Sequence, residues 1–171
     1  MEPRKNLERL IAAYDQFRQG KTAPPYLVLA GGKGWLDSGI YKKVEELGLG
    51  DLVKFTEYVP DEEICPLMCG ALAFVFPSIY EGFGLPPLEA MACGVPVLTT
   101  HAASLPEVVG EDAVVADPYS PESIAAGLEQ LYTDEALRQK LREAGPKRAA
   151  QFTWERSAEQ LYAVYQEACR E

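Results

Sequence analysis

Short apolar runs alternate with amphipathic stretches over the first two thirds of the chain. The runs predict strands at residues 25–32, 52–59, 71–77, 95–100 and 113–118. Each is nearly continuously apolar, which is typical of strands buried on both faces of a parallel sheet. Helical periodicity between them predicts helices at residues 5–19, 37–47, 61–69, 85–93 and 104–109. This order predicts an α/β fold, a Rossmann-like, doubly wound parallel sheet with helices on both faces.

The last third of the chain has only helical patterns. Ser120 is placed to cap a helix that begins at Pro121, a position where the missing amide proton costs nothing. A second helix is predicted at residues 134–144, ending at the Gly-Pro pair that follows. Thr153 is placed to cap a third helix with an apolar stripe. We therefore expect extra C-terminal helices after the sheet.

Length and charge narrow the classes of function. A chain of 171 residues, 47% of them hydrophobic, predicts one globular domain over residues 1–171. Its formal net charge of -10 argues against nucleic acid as a partner, since phosphate backbones are bound by clustered Lys and Arg. The apolar runs are too short to span a membrane, and we expect a cytoplasmic location.

The four cysteines do not suggest a disulfide framework. Cys65 and Cys69 are four residues apart on a predicted helix, and the single histidine, His101, lies far along the chain. A metal site needs further ligands, so we interpret the pair as buried thiols. No metal is expected.

A glycine-rich and proline-rich turn follows the predicted strand at residues 71–77. It reads "SIYEGFGLPPLEAMACG", and its second half predicts a short helix that ends at Gly94. The free amides near Gly84 and Leu85 would then point into the crevice at the carboxyl edge of the sheet, where open α/β sheets bind ligands. An anionic ligand is favoured there by the helix dipole.

Two glutamates flank this turn. In the loop, Glu81 is suited to accept hydrogen bonds from sugar hydroxyls or to stabilise positive charge, and Glu89, on the helix, is suited to accept two bonds from a ribose diol. From spacing alone an alternative stays open, in which Glu81 is a solvated loop residue and Glu89 only favours the first helical turn.

The start of the chain departs from the usual doubly wound order. Such sheets begin with a central strand, yet "MEPRKNLERLIAAY" enters a helix almost at once. We expect the first strand of the sheet to be absent from this chain or supplied by another, with a gap between the strands that begin near Tyr26 and Ala71. Such exposed edges favour a homo-oligomer or a second polypeptide as partner.

The segment "EGFGLPPLEAMACGVPVLTT" closely resembles the E-x7-E motif of retaining glycosyltransferases of the GT-B fold, the glycogen-synthase-like and mannosyltransferase-like family (glycosyltransferase family 4, group 1). Further matches, including "EPRKNLERLIAAY", "LVLAGGKGW" and "FTWERSA", run in order along essentially the whole chain. The resemblance is to the C-terminal, donor-binding half of a GT-B enzyme. It implies that the N-terminal acceptor domain is absent.

The resemblance also implies roles for individual residues. Glu81 matches the glutamate near the donor sugar, Glu89 matches the ribose-binding glutamate, and Lys5, with Arg4 beside it, matches the cations that neutralise the leaving diphosphate. The implied catalytic set is therefore Glu81, Lys5 and Arg4. The implied donor-binding set is Gly82, Phe83, Gly84, Leu85, Glu89, Gly31, Gly32, Lys33 and Val59.

Two observations leave the roles of individual residues open. Arg4 and Lys5 also fit an alternative in which they are ordinary cations on a helix surface, where exposed charges are usually solvated. The family usually has a glycine where Tyr58 stands, so the approach to the base is expected to differ.

The function implied by the resemblance is hexosyl transfer from a UDP-sugar or GDP-sugar to an acceptor hydroxyl, with retention of configuration, in polysaccharide biosynthesis. The nucleotide sugar is the substrate, and no cofactor or metal is expected. The complete enzyme is expected to be peripheral at a membrane. Because donor and acceptor must meet in a cleft between two domains, we expect this chain alone to be inactive.

Two alternatives stay open. One is a stand-alone nucleotide-sugar binding or regulatory module without turnover. The other is a fragment of a GT-B-fold epimerase or phosphorylase, although no segment suggests the pyridoxal phosphate lysine of a phosphorylase.

Overall fold

The structure, a computed structural model, describes residues 2–32 and 38–169. All five predicted strands form, each shorter than its apolar run: β1 (Leu27–Ala30), β2 (Val53–Glu57), β3 (Phe74–Val75), β4 (Val97–Thr100) and β5 (Val114–Ala116). After a short 3-10 helix at Pro3–Lys5, the helices are α1 (Leu7–Arg18), α2 (Ser38–Glu46), α3 (Asp61–Cys69), α4 (Leu85–Ala92), α5 (Leu105–Val109), α6 (Pro121–Thr133), α7 (Glu135–Ala149) and α8 (Trp154–Ala168).

All strand pairs in the structure are parallel, which confirms the predicted α/β class. Leu27 of β1 is paired with Val53 of β2, and Leu98 of β4 is paired with Val114 of β5. In the part of the chain that the structure describes, these pairs form two sheets, β1-β2 and β3-β4-β5, and β1 is not paired with β3. The expectation that a further strand lies between β1 and β3 stays a prediction.

Strand β4 shows why the apolar runs are continuous. Successive side chains of a strand point to opposite faces of the sheet. Val97 packs in one core cluster with residues of α4 and α5, whereas Leu98 packs in another with residues of α1, α2 and α6. Helices therefore cover both faces, as the predicted doubly wound arrangement requires.

The predicted helix caps at Ser120 and Thr153 form. Each side chain accepts a hydrogen bond from a backbone amide in the first turn of its helix, α6 or α8. Asp134, for which no cap was predicted, does the same for α7. These caps stabilise helix ends that otherwise leave amides without partners.

Helix α7 is longer than predicted, because it continues through Gly145 and Pro146 to Ala149. The prediction that it ends at residue 144 is therefore wrong. Gly145 is buried against α4, where an added Cβ would lie 3.1 Å from the backbone oxygen of Met91. This close approach of α7 to α4 offsets the helix hydrogen bond that Pro146 cannot donate.

Helix α8 stands apart from the core. It has no buried side chain, and its apolar face is exposed. The exposed fractions on this face are 80% for Trp154, 53% for Leu161, 63% for Tyr162, 58% for Val164 and 60% for Tyr165. Within residues 2–32 and 38–169, no helix is long and apolar enough to cross a membrane.

The cysteines differ from the prediction of buried thiols. Cys65 and Cys69 are exposed, and Cys93, at the end of α4, is half-buried. The prediction failed because α3 has no buried residue, so both of its cysteines remain at the surface.

Candidate functional site

The N-terminal segment is anchored across the carboxyl ends of two strands by Asn6. This residue has a left-handed backbone with φ of 62° and turns the chain from the 3-10 helix into α1. Its side-chain amide lies 3.0 Å from the carbonyl oxygen of Pro77 and 2.6 Å from that of Pro118, and it donates to both. The amide of Ile79 also donates to the carbonyl of Arg4 at 2.8 Å. These bonds place Arg4 and Lys5 beside the loop that follows β3.

Glu81 lies at the centre of the site. Its Oε1 accepts hydrogen bonds from Lys5 Nζ and Ser78 Oγ, both at 2.8 Å, and its Oε2 accepts one from Arg4 Nη1 at 2.5 Å. Only 8% of the residue is exposed. The alternative of a solvated loop glutamate is therefore wrong, and the three residues predicted as the catalytic set lie together.

The carboxylate of Glu81 is held in its ionised form. Burial raises the pKa of Glu81, but hydrogen bonds from Lys5 and Ser78, the charge of Lys5 and the bond from Arg4 together outweigh that effect. The net result is a pKa below the ordinary value. The pKa of Arg4 is raised by its hydrogen bond to Glu2 and by Glu81, against the effect of burial.

The lowered pKa of Glu81 predicts a pH-dependent contribution to stability. A carboxyl group with a lowered pKa in the folded state stabilises the fold above its ordinary pKa of 4.5, and this contribution is lost as the pH falls through the folded value. We expect Glu81→Gln to lower the free energy of unfolding at neutral pH and the deficit to shrink below about pH 4.5. Urea unfolding of both proteins between about pH 7 and about pH 3 measures this, and a deficit that is constant with pH would contradict it.

The loop after Glu81 leads into α4 through Gly84. Gly84 is the N-cap residue of α4 and has a left-handed backbone with φ of 106°. Ser104 Oγ lies 3.0 Å from the carbonyl oxygen of Glu81 and 2.9 Å from that of Phe83, which restrains the loop. Phe83 and Leu85 are 43% and 48% exposed, so the loop and this end of α4 can be reached from outside. Pro86 and Pro87 have no amide proton, which leaves Leu85 as the amide donor among the first three residues of α4.

Glu89 lies in the second turn of α4 and is exposed. With a rise of about 1.5 Å per residue, its backbone is about 6 Å along the helix axis from Leu85. Glu89 therefore lies near the end of α4 that was predicted to bind an anion. It is not one of the residues that bond to Glu81. Gly82, also in the predicted set, is exposed in the loop.

The remaining predicted donor-binding residues lie at the carboxyl ends of β1 and β2. Gly31 has φ of 134° and donates its amide to the carbonyl of Glu57 at 2.9 Å. Gly32 is exposed, and Val59 is half-buried just after β2. These residues belong to the sheet that does not carry Glu81. Lys33 lies outside the described residues.

Sequence reasoning missed three residues that build the site. Ser78 donates to Glu81, Asn6 anchors the N-terminal segment, and Ser104 restrains the loop. Ser78 could have been suspected, because it precedes Glu81 by three residues in the same loop. Asn6 and Ser104 gave no local signal, since their partners are distant in sequence.

The chemistry of this arrangement suits an anionic ligand that carries hydroxyl groups. The side chains of Arg4 and Lys5 are 40% and 28% exposed, so both cations are held by Glu81 yet remain accessible. Lys5 Nζ also lies 4.5 Å from the centre of the Phe76 ring, which further fixes its position. The amide of Leu85 and the dipole of α4 add a second source of positive potential.

Comparison with known proteins identifies the family. A family model described as glycosyl transferases group 1 matches residues 1–148. The chain belongs to this family. The group 1 match confirms the resemblance drawn from the E-x7-E segment.

Among curated group 1 relatives, O-antigen chain mannosyltransferase B of Escherichia coli is 43% identical over 166 residues. That match covers 96% of this chain and 43% of the relative. A serotype-specific mannosyltransferase, WbdA, from the same organism is 36% identical over 161 residues, or 92% of this chain and 20% of the relative. The chain thus spans less than half the length of these relatives.

A solved structure shows the same GT-B glycosyltransferase architecture. A sucrose-phosphate synthase from Thermosynechococcus elongatus is 30% identical with a TM-score of 0.82, and the match covers 99% of this chain and 43% of that one. The parallel sheets with helices on both faces are therefore those of a C-terminal domain of a GT-B glycosyltransferase.

Proposed function

We propose that this chain is the donor-binding domain of a retaining glycosyltransferase that transfers a sugar from a nucleoside diphosphate sugar to an acceptor hydroxyl. The observation that carries the proposal is the group formed by Glu81, Lys5 and Arg4 beside the start of α4. The names of the relatives favour a mannosyl group as the sugar and a surface polysaccharide as the product.

In this proposal the donor diphosphate lies between the cations and the start of α4. Lys5 and Arg4 bind its oxygens together with the amides near Gly84 and Leu85, and Glu89 accepts hydrogen bonds from the ribose. The base lies toward Gly31, Gly32 and Val59. No metal is needed, because the two cations and the helix end supply the positive potential.

The reaction then breaks the bond between the anomeric carbon and the diphosphate oxygen. The acceptor oxygen forms its bond to the same face of that carbon, and the acceptor proton passes to the leaving phosphate oxygen. Lys5 and Arg4 stabilise the negative charge that develops on the diphosphate. Glu81 keeps both cations in place beside the sugar, because it accepts a hydrogen bond from each.

The acceptor is proposed to bind in a second domain that completes the cleft. This is supported by the length of the relatives, of which the chain covers 43% or less. It is also supported by the exposed apolar face of α8, which such a domain would cover. On this proposal the chain alone binds donor but does not transfer sugar.

The proposal is tested by titrating the chain with a panel of UDP-sugars and GDP-sugars in ligand-detected NMR and calorimetry. Half of a cleft leaves much of the ligand in water, so we expect a dissociation constant near millimolar, about -4 kcal/mol. A folded chain that binds no member of the panel at millimolar ligand would overturn the proposal.

Replacing Glu89 with alanine tests the ribose contact. We expect Glu89→Ala to weaken donor binding by about 1 to 3 kcal/mol, because it removes hydrogen bonds to a charged acceptor. Glu155→Ala, which changes an equally exposed glutamate on α8, is the matched control and should leave binding unchanged. Equal affinity of the two variants would assign Glu89 a structural role.

A further inference from the structure

Three cysteine thiols converge between α3 and α4. Cys65 and Cys69 lie one helical turn apart on α3, and Cys93 follows the last residue of α4. The Sγ atom of Cys65 lies 3.8 Å from that of Cys69 and 3.3 Å from that of Cys93, and all three Sγ atoms lie within 4.8 Å of one another.

The 3.8 Å separation of Cys65 and Cys69 matches one edge of a tetrahedral zinc site, and the Cys65–Cys93 separation is shorter. With a Zn–S distance of about 2.3 Å, tetrahedral geometry places neighbouring sulfur atoms about 3.8 Å apart. The sulfur triangle therefore needs only small side-chain rotations to bind one ion. Cys65 and Cys69 are exposed, so the fourth position of the ion would face solvent.

We propose that Cys65, Cys69 and Cys93 bind one Zn²⁺ through three thiolates, with water as the fourth ligand. Each thiol releases its proton when it binds the ion, since the thiolate is the ligand. Soft thiolate ligands select Zn²⁺ over the hard cations Mg²⁺ and Ca²⁺. The site takes no part in the proposed sugar transfer.

The arrangement favours a metal site over a disulfide between α3 and α4. A disulfide needs two cysteines, and here a third thiol completes the triangle.

The ion would hold α3 in place. Helix α3 has no buried side chain of its own, so few apolar contacts attach it to the domain. The thiols join it to the C-terminal end of α4, about 12 Å along that helix from Gly84, where the proposed donor site lies. The ion would thus hold α3 against the C-terminal end of α4. Donor binding is still expected to need no metal.

The experiment titrates the reduced, chelator-treated chain with Co²⁺, a spectroscopic substitute for Zn²⁺, and then displaces the Co²⁺ with Zn²⁺. We expect one Co²⁺ per chain, with visible bands of a tetrahedral ion and a thiolate charge-transfer band. Cys65→Ser and Cys93→Ser should each weaken binding more than about 100-fold, since even residues that only orient ligands are worth 10-fold to 100-fold.

Cys169→Ser is the matched control, because Cys169 lies at the end of α8, outside the thiol group. It should bind Co²⁺ as the unchanged chain does. If Cys93→Ser fails to fold, Cys69→Ser on the exposed turn of α3 replaces it. The proposal is overturned if the reduced chain binds no Co²⁺, if the spectrum lacks the thiolate band, or if the serine variants at positions 65 and 93 bind as tightly as the control. A Cys65–Cys93 disulfide that forms in air despite added Zn²⁺ also overturns it.

Discussion

Replacing Lys5 with methionine is expected to remove detectable nucleotide-sugar binding. Lys5 Nζ is 2.8 Å from Glu81 and is placed to bind the donor diphosphate. Truncating one member of a partly buried, hydrogen-bonded charge pair costs about 2 to 5 kcal/mol in binding, which is at least a 30-fold loss of affinity. Ligand-detected NMR with the best donor from the panel measures the loss.

The matched control is Lys42→Met. Lys42 lies on α2 with 75% of its side chain exposed and an ion pair to Glu46 at 3.5 Å. It should keep the affinity of the unchanged chain, because an exposed ion pair of this kind contributes little. In Lys5→Met, Glu81 keeps its bonds to Arg4 and Ser78, so the variant should stay folded, as circular dichroism can verify. Unchanged donor affinity in a folded Lys5→Met protein would contradict the placement of the diphosphate.

Replacing Gly84 with alanine is expected to destabilise the domain by about 2 to 5 kcal/mol. At φ of 106° an alanine is strained, which costs about 1 to 2 kcal/mol. Its Cβ would also lie 2.7 Å from Leu105 Cδ2, a fully buried side chain with little room to move, and overpacking adds about 1 to 3 kcal/mol. Urea unfolding measures the sum.

Gly82→Ala is the control for Gly84→Ala because it changes the same loop. Its added Cβ would meet no atom within 4 Å, and its backbone is not in the left-handed region. We expect a change within about 0.5 kcal/mol, as for most exposed substitutions. Similar losses of stability in the two variants would contradict this prediction, because the loss would then not come from the specific clash at Leu105.

Some parts of the candidate site could be predicted from the sequence and others could not. The E-x7-E segment predicted the loop that carries Glu81 and the start of α4 at Leu85, because these features lie within one loop and one helix. The resemblance added Lys5 and Arg4, for which the local pattern left open an alternative as surface cations. Arg4 and Glu81 are 77 positions apart in the sequence, so their contact is visible only in the structure.

The sequence by itself determined the order of strands and helices, the caps at Ser120 and Thr153, and the parallel class of the sheet. These features depend on local propensity and on hydrophobic periodicity, both of which the chain carries within a few residues. Only the tertiary structure decided the burial of Glu81, the length of α7 and the meeting of Cys93 with Cys65. Each depends on contacts between segments that are far apart in sequence. Two cations neutralise a buried carboxylate, and close packing at Gly145 allows a helix to continue through a proline. The end of α4 places a third thiol beside those of α3.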